Sequence, residues 1–108
     1  ELAKAKGAKR ALPLPVSVPS HCALMKPAAE KLADYLKTVT VSTPNIAVIH
    51  NADVASYTES EKIKDALVRQ LYSPVRWVET VQTLHAQGVT QTAESGPGKV
   101  LAGLTKRI

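Results

Sequence analysis

Two neighbouring stretches decide the fold: Ile46-Ala47-Val48-Ile49-His50-Asn51-Ala52-Asp53 and, after a short polar interval, Glu59-Ser60-Glu61-Lys62-Ile63-Lys64-Asp65-Ala66-Leu67-Val68-Arg69-Gln70-Leu71. The first opens with a compact apolar run behind Pro44, the pattern of a buried strand, and gathers His50, Asn51 and Asp53 at its end. The second places Ile63, Ala66, Leu67 and Leu71 at helical spacing among charges, which predicts an amphipathic helix over 59–71. An apolar strand feeding a helix predicts an α/β fold.

Working outward, the unit recurs near the C-terminal end. Val89–Ala93 reads as a short strand, and Glu94-Ser95-Gly96-Pro97-Gly98 turns into a last helix, Lys99–Arg107. Between the two units, Ser73-Pro74 is a helix-start signal, Ser as N-cap and Pro at the first helical position. That helix is expected to run to about Gln87, with Val75, Val78, Val81 and Leu84 inward and Gly88 as its cap. Upstream, Pro27–Lys37 predicts a helix with a stripe of Ala28, Leu32, Tyr35 and Leu36, followed by a β-prone Val39–Val41. Ala11–Val18 is extended and apolar; Pro13 and Pro15 exclude a helix or a central strand, leaving an edge strand or crossover that ends in the turn Pro19-Ser20-His21. Glu1–Arg10 reads as a helix already under way with Gly7 as C-cap, as expected of part of a longer chain.

Composition narrows the function. Apolar residues make up 44% of the 108, which supports a core and argues against disorder. There is no Phe, and the aromatics are Tyr35, Tyr57, Tyr72 and Trp77, so the core must be aliphatic. A net charge of +5 favours an acidic partner, but Lys and Arg are scattered among acids, which weakens a nucleic-acid role. Cys22 is the only cysteine, so no internal disulfide forms and a reducing cytoplasm fits. No apolar run approaches the ~20 residues of a membrane span, and the start lacks a signal-peptide pattern.

The three histidines, His21, His50 and His85, lack metal-ligand spacing, so no metal is expected. His85 falls among polar residues and reads as surface. His50 follows the apolar run, where a satisfied structural histidine is the ordinary outcome. His21 differs, because it closes a rigid extended segment from which a side chain can reach a cleft. Cys22 beside it points to the opposite side of an extended backbone and reads as a small buried hydrophobe. Gly96-Pro97-Gly98 before a helix offers backbone N–H groups to an anion, although a tight turn needs the same glycines.

Three blocks together are specific. Gly7–Glu30, containing Val16-Ser17-Val18-Pro19-Ser20-His21-Cys22, resembles the histidine-bearing segment of bacterial malonyl-CoA:acyl carrier protein transacylases. Asp65–Trp77 and Glu94–Arg107 resemble two further blocks of that family, in the same order and over nearly the whole chain. The resemblance implies the C-terminal part of an α/β-hydrolase-like acyltransferase domain. Residues 1–16 would be the tail of an inserted ferredoxin-like subdomain and its return strand, and residues 17–108 part of the large domain. It implies malonyl transfer from coenzyme A to a serine, then to the phosphopantetheine thiol of acyl carrier protein, in fatty acid biosynthesis. Both thioesters would be substrates, with no bound cofactor. His21 matches the family's general base and acid, and Gln70 the position whose backbone carbonyl orients it. Val16 and Val100 match positions near the acyl pocket. Lys9-Arg10 and Lys106-Arg107 are the basic pairs expected to meet the acidic carrier protein.

One departure stands out. The family nucleophile sits in Gly-His-Ser-x-Gly, and this chain has no such motif, so the segment alone is expected to be inactive. Two rival readings are a non-enzymatic basic binding module, which needs a dense basic face with stacking aromatics, and a hydrolase using Cys22, which needs its thiol within reach of His21.

Overall fold

Two amphipathic helices packed together build what core there is. In the computed structural model, which describes residues Glu1–Ile108, helix α1 spans Leu2–Ala5, and a 3₁₀ turn at Ala23–Met25 leads into α2, Lys26–Leu36. Strands β1 (Ile49–His50) and β2 (Ala55–Ser56) precede α3 (Ser60–Gln70), α4 (Trp77–Ala86) and α5 (Val100–Thr105). Pro27 in the first turn of α2 costs no hydrogen bond there and presets the helical φ.

Helices α2 and α3 pack against each other. The contact buries Ala29 and Leu36 from one helix and Ile63 and Ala66 from the other. Ala29 and Ala66 have so little side chain that the two backbones can approach closely, while Leu36 and Ile63 each contribute about 1.5–3 kcal/mol by leaving water. The inward face of α2 keeps Leu36 and the half-buried Leu32 of the expected stripe, but Ala29 replaces Ala28, and Tyr35 is 67% exposed. Along α3 run the ion pairs Glu59–Lys62 and Glu61–Lys64, each worth a few tenths of a kcal/mol.

The sheet is a two-stranded antiparallel hairpin, with Ile49 opposite Ser56 and His50 opposite Ala55. Its turn, 51–54, closes with Val54 N–H donating to His50 O at 2.9 Å, and Val54 itself sits at φ 56°. A β-branched residue there is strained, at a cost of about 1–3 kcal/mol.

Several expected elements differ. Helices and one small sheet satisfy the coarse α/β expectation, but the two strand-plus-helix units do not form. Ala11–Val18, Val39–Val41 and Val89–Ala93 lie outside any strand. Of Ile46–Ile49 only Ile49 pairs, and Ile46 is 81% exposed. Each of these segments is β-prone, but a strand needs a hydrogen-bonding neighbour, and only the hairpin has one. Helix α4 begins at Trp77 rather than at Pro74: Arg76 has a non-helical backbone (φ −94°, ψ 61°), and its N–H is bonded to Asn51 O at 2.8 Å. Val75 and Val78 are consequently exposed rather than inward. The final helix is shorter than expected; Glu94 caps it, accepting from Leu101 N–H (3.2 Å) and Ala102 N–H (2.8 Å).

Candidate functional site

The site grows from the C-terminal end of α3. The last carbonyls of a helix have no partner within it. Here Val68 O and Arg69 O accept tightened bonds from Leu71 and Tyr72 N–H, and the next two, Gln70 O and Leu71 O, both go to His21. The backbone N–H of His21 donates to Leu71 O at 2.9 Å, and ring Nδ1 lies 2.9 Å from Gln70 O. A carbonyl oxygen only accepts, so Nδ1 carries the proton and the neutral ring keeps its lone pair on Nε2. No hydrogen bond within the chain engages Nε2, and the residue is exposed. His21 reaches this position through φ 61°, a left-handed conformation that His tolerates better than most side chains.

Cys22 faces elsewhere. Its half-buried thiol donates to Pro19 O at 3.2 Å rather than to the imidazole, which removes the support for a Cys/His hydrolase.

A polar network absent from the sequence reading lies beside Gln70. Arg69 grips Asp53 with both terminal nitrogens, Nη1 to Oδ1 at 2.5 Å and Nη2 to Oδ2 at 2.7 Å. Its Nε donates to Asp65 Oδ2 at 2.6 Å, and Tyr57 Oη donates to Asp53 Oδ2 at 3.0 Å. The Asp53 carboxylate is 14% exposed. The bonds from Arg69, and to a lesser degree from Tyr57, outweigh desolvation and hold Asp53 below the ordinary carboxylate range; Arg69 is pushed further above its own high value by the same contacts. Arg76 pairs with Glu79 and extends Nη1 to Asp53 O at 3.4 Å. His50 is buried at the end of β1, with its ring 5.5 Å from that of Tyr57. Arg69 was legible in one respect: it follows buried Ala66 by three residues, so a charge occupies a position bordering the inward face.

The other expected residues are not gathered around His21. Val16 and Val100 are 67% and 71% exposed, and neither lines any of the four cavities. The two larger cavities, about 310 and 220 Å³, separate α4 from the 89–108 segment, and Trp77 on the second has a buried Nε1–H without a partner. Lys9, Arg10, Lys106 and Arg107 are exposed and make no ion pair. His85 is exposed. No cluster of three or more His, Cys, Asp or Glu side chains could hold a metal ion.

No family model matches the chain. It is 64% identical over 107 residues to malonyl CoA-acyl carrier protein transacylase of Haemophilus influenzae, a match that covers 99% of this chain and 34% of the relative. Its backbone superposes on a crystal structure of an acyl carrier protein S-malonyltransferase from Vibrio cholerae with a TM-score of 0.87 at 65% identity, covering 98% of this chain and 35% of that one. A malonyl-transacylase solved in complex with its type II PKS acyl-carrier protein gives a TM-score of 0.89 at 62% identity, covering 96% of this chain and 34% of that one. The chain thus spans about a third of the length of the proteins it matches. By sequence and by backbone alike, the chain is similar to malonyl CoA-acyl carrier protein transacylases, matching a C-terminal part of them.

Proposed function

We propose that this chain supplies the proton-transfer residue of a malonyl-CoA:acyl carrier protein transacylase. The observation that carries the reading is the geometry of His21: Nδ1–H is fixed on Gln70 O, and Nε2 is left unengaged. A base needs a lone pair on the outward nitrogen, and the carbonyl enforces that tautomer as a carboxylate does in other triads.

In the proposed reaction, Nε2 takes the proton of a serine hydroxyl as its oxygen attacks the malonyl thioester carbon. The C–S bond then breaks, and the imidazolium returns the proton to the coenzyme A thiolate. In the second half Nε2 takes the proton of the phosphopantetheine thiol, whose sulfur attacks the malonyl-serine ester, and the serine oxygen leaves with that proton. The carbonyl of Gln70 and the negative end of the α3 dipole face the ring while it is positively charged. The serine belongs to a motif this chain does not contain, so His21 acts on a hydroxyl supplied from elsewhere in the protein.

The same reading assigns residues 17–108 to a large α/β acyltransferase domain and residues 1–16 to the end of a small ferredoxin-like subdomain. In its support, no hydrogen bond joins residues 1–18 to anything beyond Ser20. It also assigns Val16 and Val100 to the acyl pocket and the pairs Lys9-Arg10 and Lys106-Arg107 to an acidic carrier protein. The unpaired charges of the two pairs suit that partner, and the solved complex of a relative with its acyl-carrier protein supports it. A basic nucleic-acid module finds little support, with four aromatics spread over two helices, the link after α3 and a hairpin end.

The test is His21→Ala in the full-length protein. Malonyl transfer to acyl carrier protein is expected to fall by about 10²–10⁴-fold with the melting temperature nearly unchanged. Turnover near the parent rate would overturn the assignment.

A further inference from the structure

The two carbonyls that hold His21 lie at the C-terminal end of α3, where the short link to α4 begins, and one hairpin turn grips this stretch on both sides. At the near end Arg69, next to Gln70, clamps the Asp53 carboxylate through two parallel bonds. At the far end Arg76 donates its backbone N–H to Asn51 O and extends Nη1 to Asp53 O. Gln70 and Leu71 lie between these anchors, and His21 hangs from their carbonyls. The turn is in a strained form, with Val54 at positive φ, so something must hold it. Planar fork-to-carboxylate pairing is the side-chain contact best suited to fixing a direction as well as a distance.

We propose that Asp53 and Arg69, seconded by Arg76 and Tyr57, are positioning residues for His21: the 51–54 turn sets where the Gln70 carbonyl points, and through it the tautomer and tilt of the imidazole. The proposal rests on the reading of His21 as the proton-transfer residue. It adds that the ring is set by a carboxylate that never touches it, relayed through a backbone peptide.

The experiment compares Asp53→Asn, Tyr57→Phe and Ile63→Val in the full-length protein. The readouts are the ¹⁵N chemical shifts of the His21 ring, kcat and KM for malonyl-CoA, and the melting temperature. Asp53→Asn is expected to move the ring nitrogens from a single Nδ1–H tautomer toward a mixture and to lower kcat about tenfold, with KM changed less than about twofold. Tyr57→Phe, which removes one bond to the same carboxylate, should shift both readouts in the same direction by about two- to threefold in kcat. Ile63→Val should lower the melting temperature and leave ring shifts and kcat alone. If Asp53→Asn does not fold, the Tyr57→Phe shifts decide. Unchanged ring shifts in Asp53→Asn, or in Tyr57→Phe where the former does not fold, overturn the proposal, as does an equal change in Ile63→Val. Failure of the underlying reading looks different: His21→Ala would then retain turnover, whereas the ring shifts would still report on the clamp.

Discussion

The segment from Pro19 to Gln87 and the two flanks that leave it are different kinds of structure. The middle holds every buried residue, Ala29, Leu36, His50, Ile63, Ala66 and Thr80, and every hydrogen bond that spans more than ten positions. The flanks expose Leu12, Leu14, Val16 and Val18 on one side and Val100, Leu101, Leu104 and Ile108 on the other. Their internal bonds are local, such as Val16 N–H to Leu14 O and the Glu94 cap of α5. The radius of gyration, 17.1 Å, exceeds the ~13 Å of a compact chain of this length. The contrast teaches that the histidine geometry is stabilised within the middle segment. The flanks present apolar surface that calls for cover from other parts of the folded protein.

Hydrogen exchange on the 108-residue chain is the most direct way to break this contrast. Amides inside α2 and α3 should be protected by about 10²-fold or more, while those of 8–18 and 90–99 should exchange near the free rate. Ile63→Ala should cost about 2–4 kcal/mol and erase the protection of both helices together. Uniform protection, or none anywhere, would remove the distinction.

Acid sharpens it further. Asp53 is held below its unfolded value, near 3.9, so its contribution to stability is complete above that value and disappears as pH falls through the lower folded value. Urea melts below about pH 4 should therefore show the full-length protein losing stability more steeply than Asp53→Asn, with the two curves parallel above about pH 5. Parallel curves throughout would mean that the clamp carries no stability.

The flanks, by contrast, should matter for encounter. Reversing Lys9 and Arg10, or Lys106 and Arg107, to Glu in the full-length protein is expected to slow carrier-protein association about tenfold at low salt and flatten its salt dependence. The first half-reaction with malonyl-CoA should change less. Equal losses in both half-reactions would point to folding or to contacts with coenzyme A phosphates.

The smallest effect concerns the turn. Val54→Gly relieves a positive φ in a β-branched residue but loosens the unfolded chain, and a net gain of about 0.5–1 kcal/mol is expected by urea titration. A loss would show that the Val54 side chain, half-buried, packs well enough to outweigh its strain.

How much of this was legible in the sequence depends on the range of the interaction. Helices α2 and α3 were readable within one residue at each end, because spacing and Pro27 are local signals. The start of α4 was not: Arg76 is non-helical and tied through its N–H to Asn51 O, 25 positions earlier, and no local pattern encodes that contact. The β-prone segments were readable as extended and apolar, but pairing is a property of neighbours, and Ile46 and Val48 find none. The meeting of His21 with Gln70 spans 49 positions and came only from likeness to a family. The Asp53–Arg69 clamp escaped because each residue, taken alone, is an ordinary surface charge.

That His21 is held by two main-chain oxygens has a consequence for how the site tolerates change. Every residue type brings the same carbonyl, so positions 70 and 71 can alter their side chains without deleting the group that orients the ring. Alanine scanning would pass over the orienting element entirely, since truncating Gln70 or Leu71 removes nothing that His21 touches. The vulnerable feature is the path of the main chain, and a proline at Tyr72 or an insertion in the link would reach it where no side-chain truncation can.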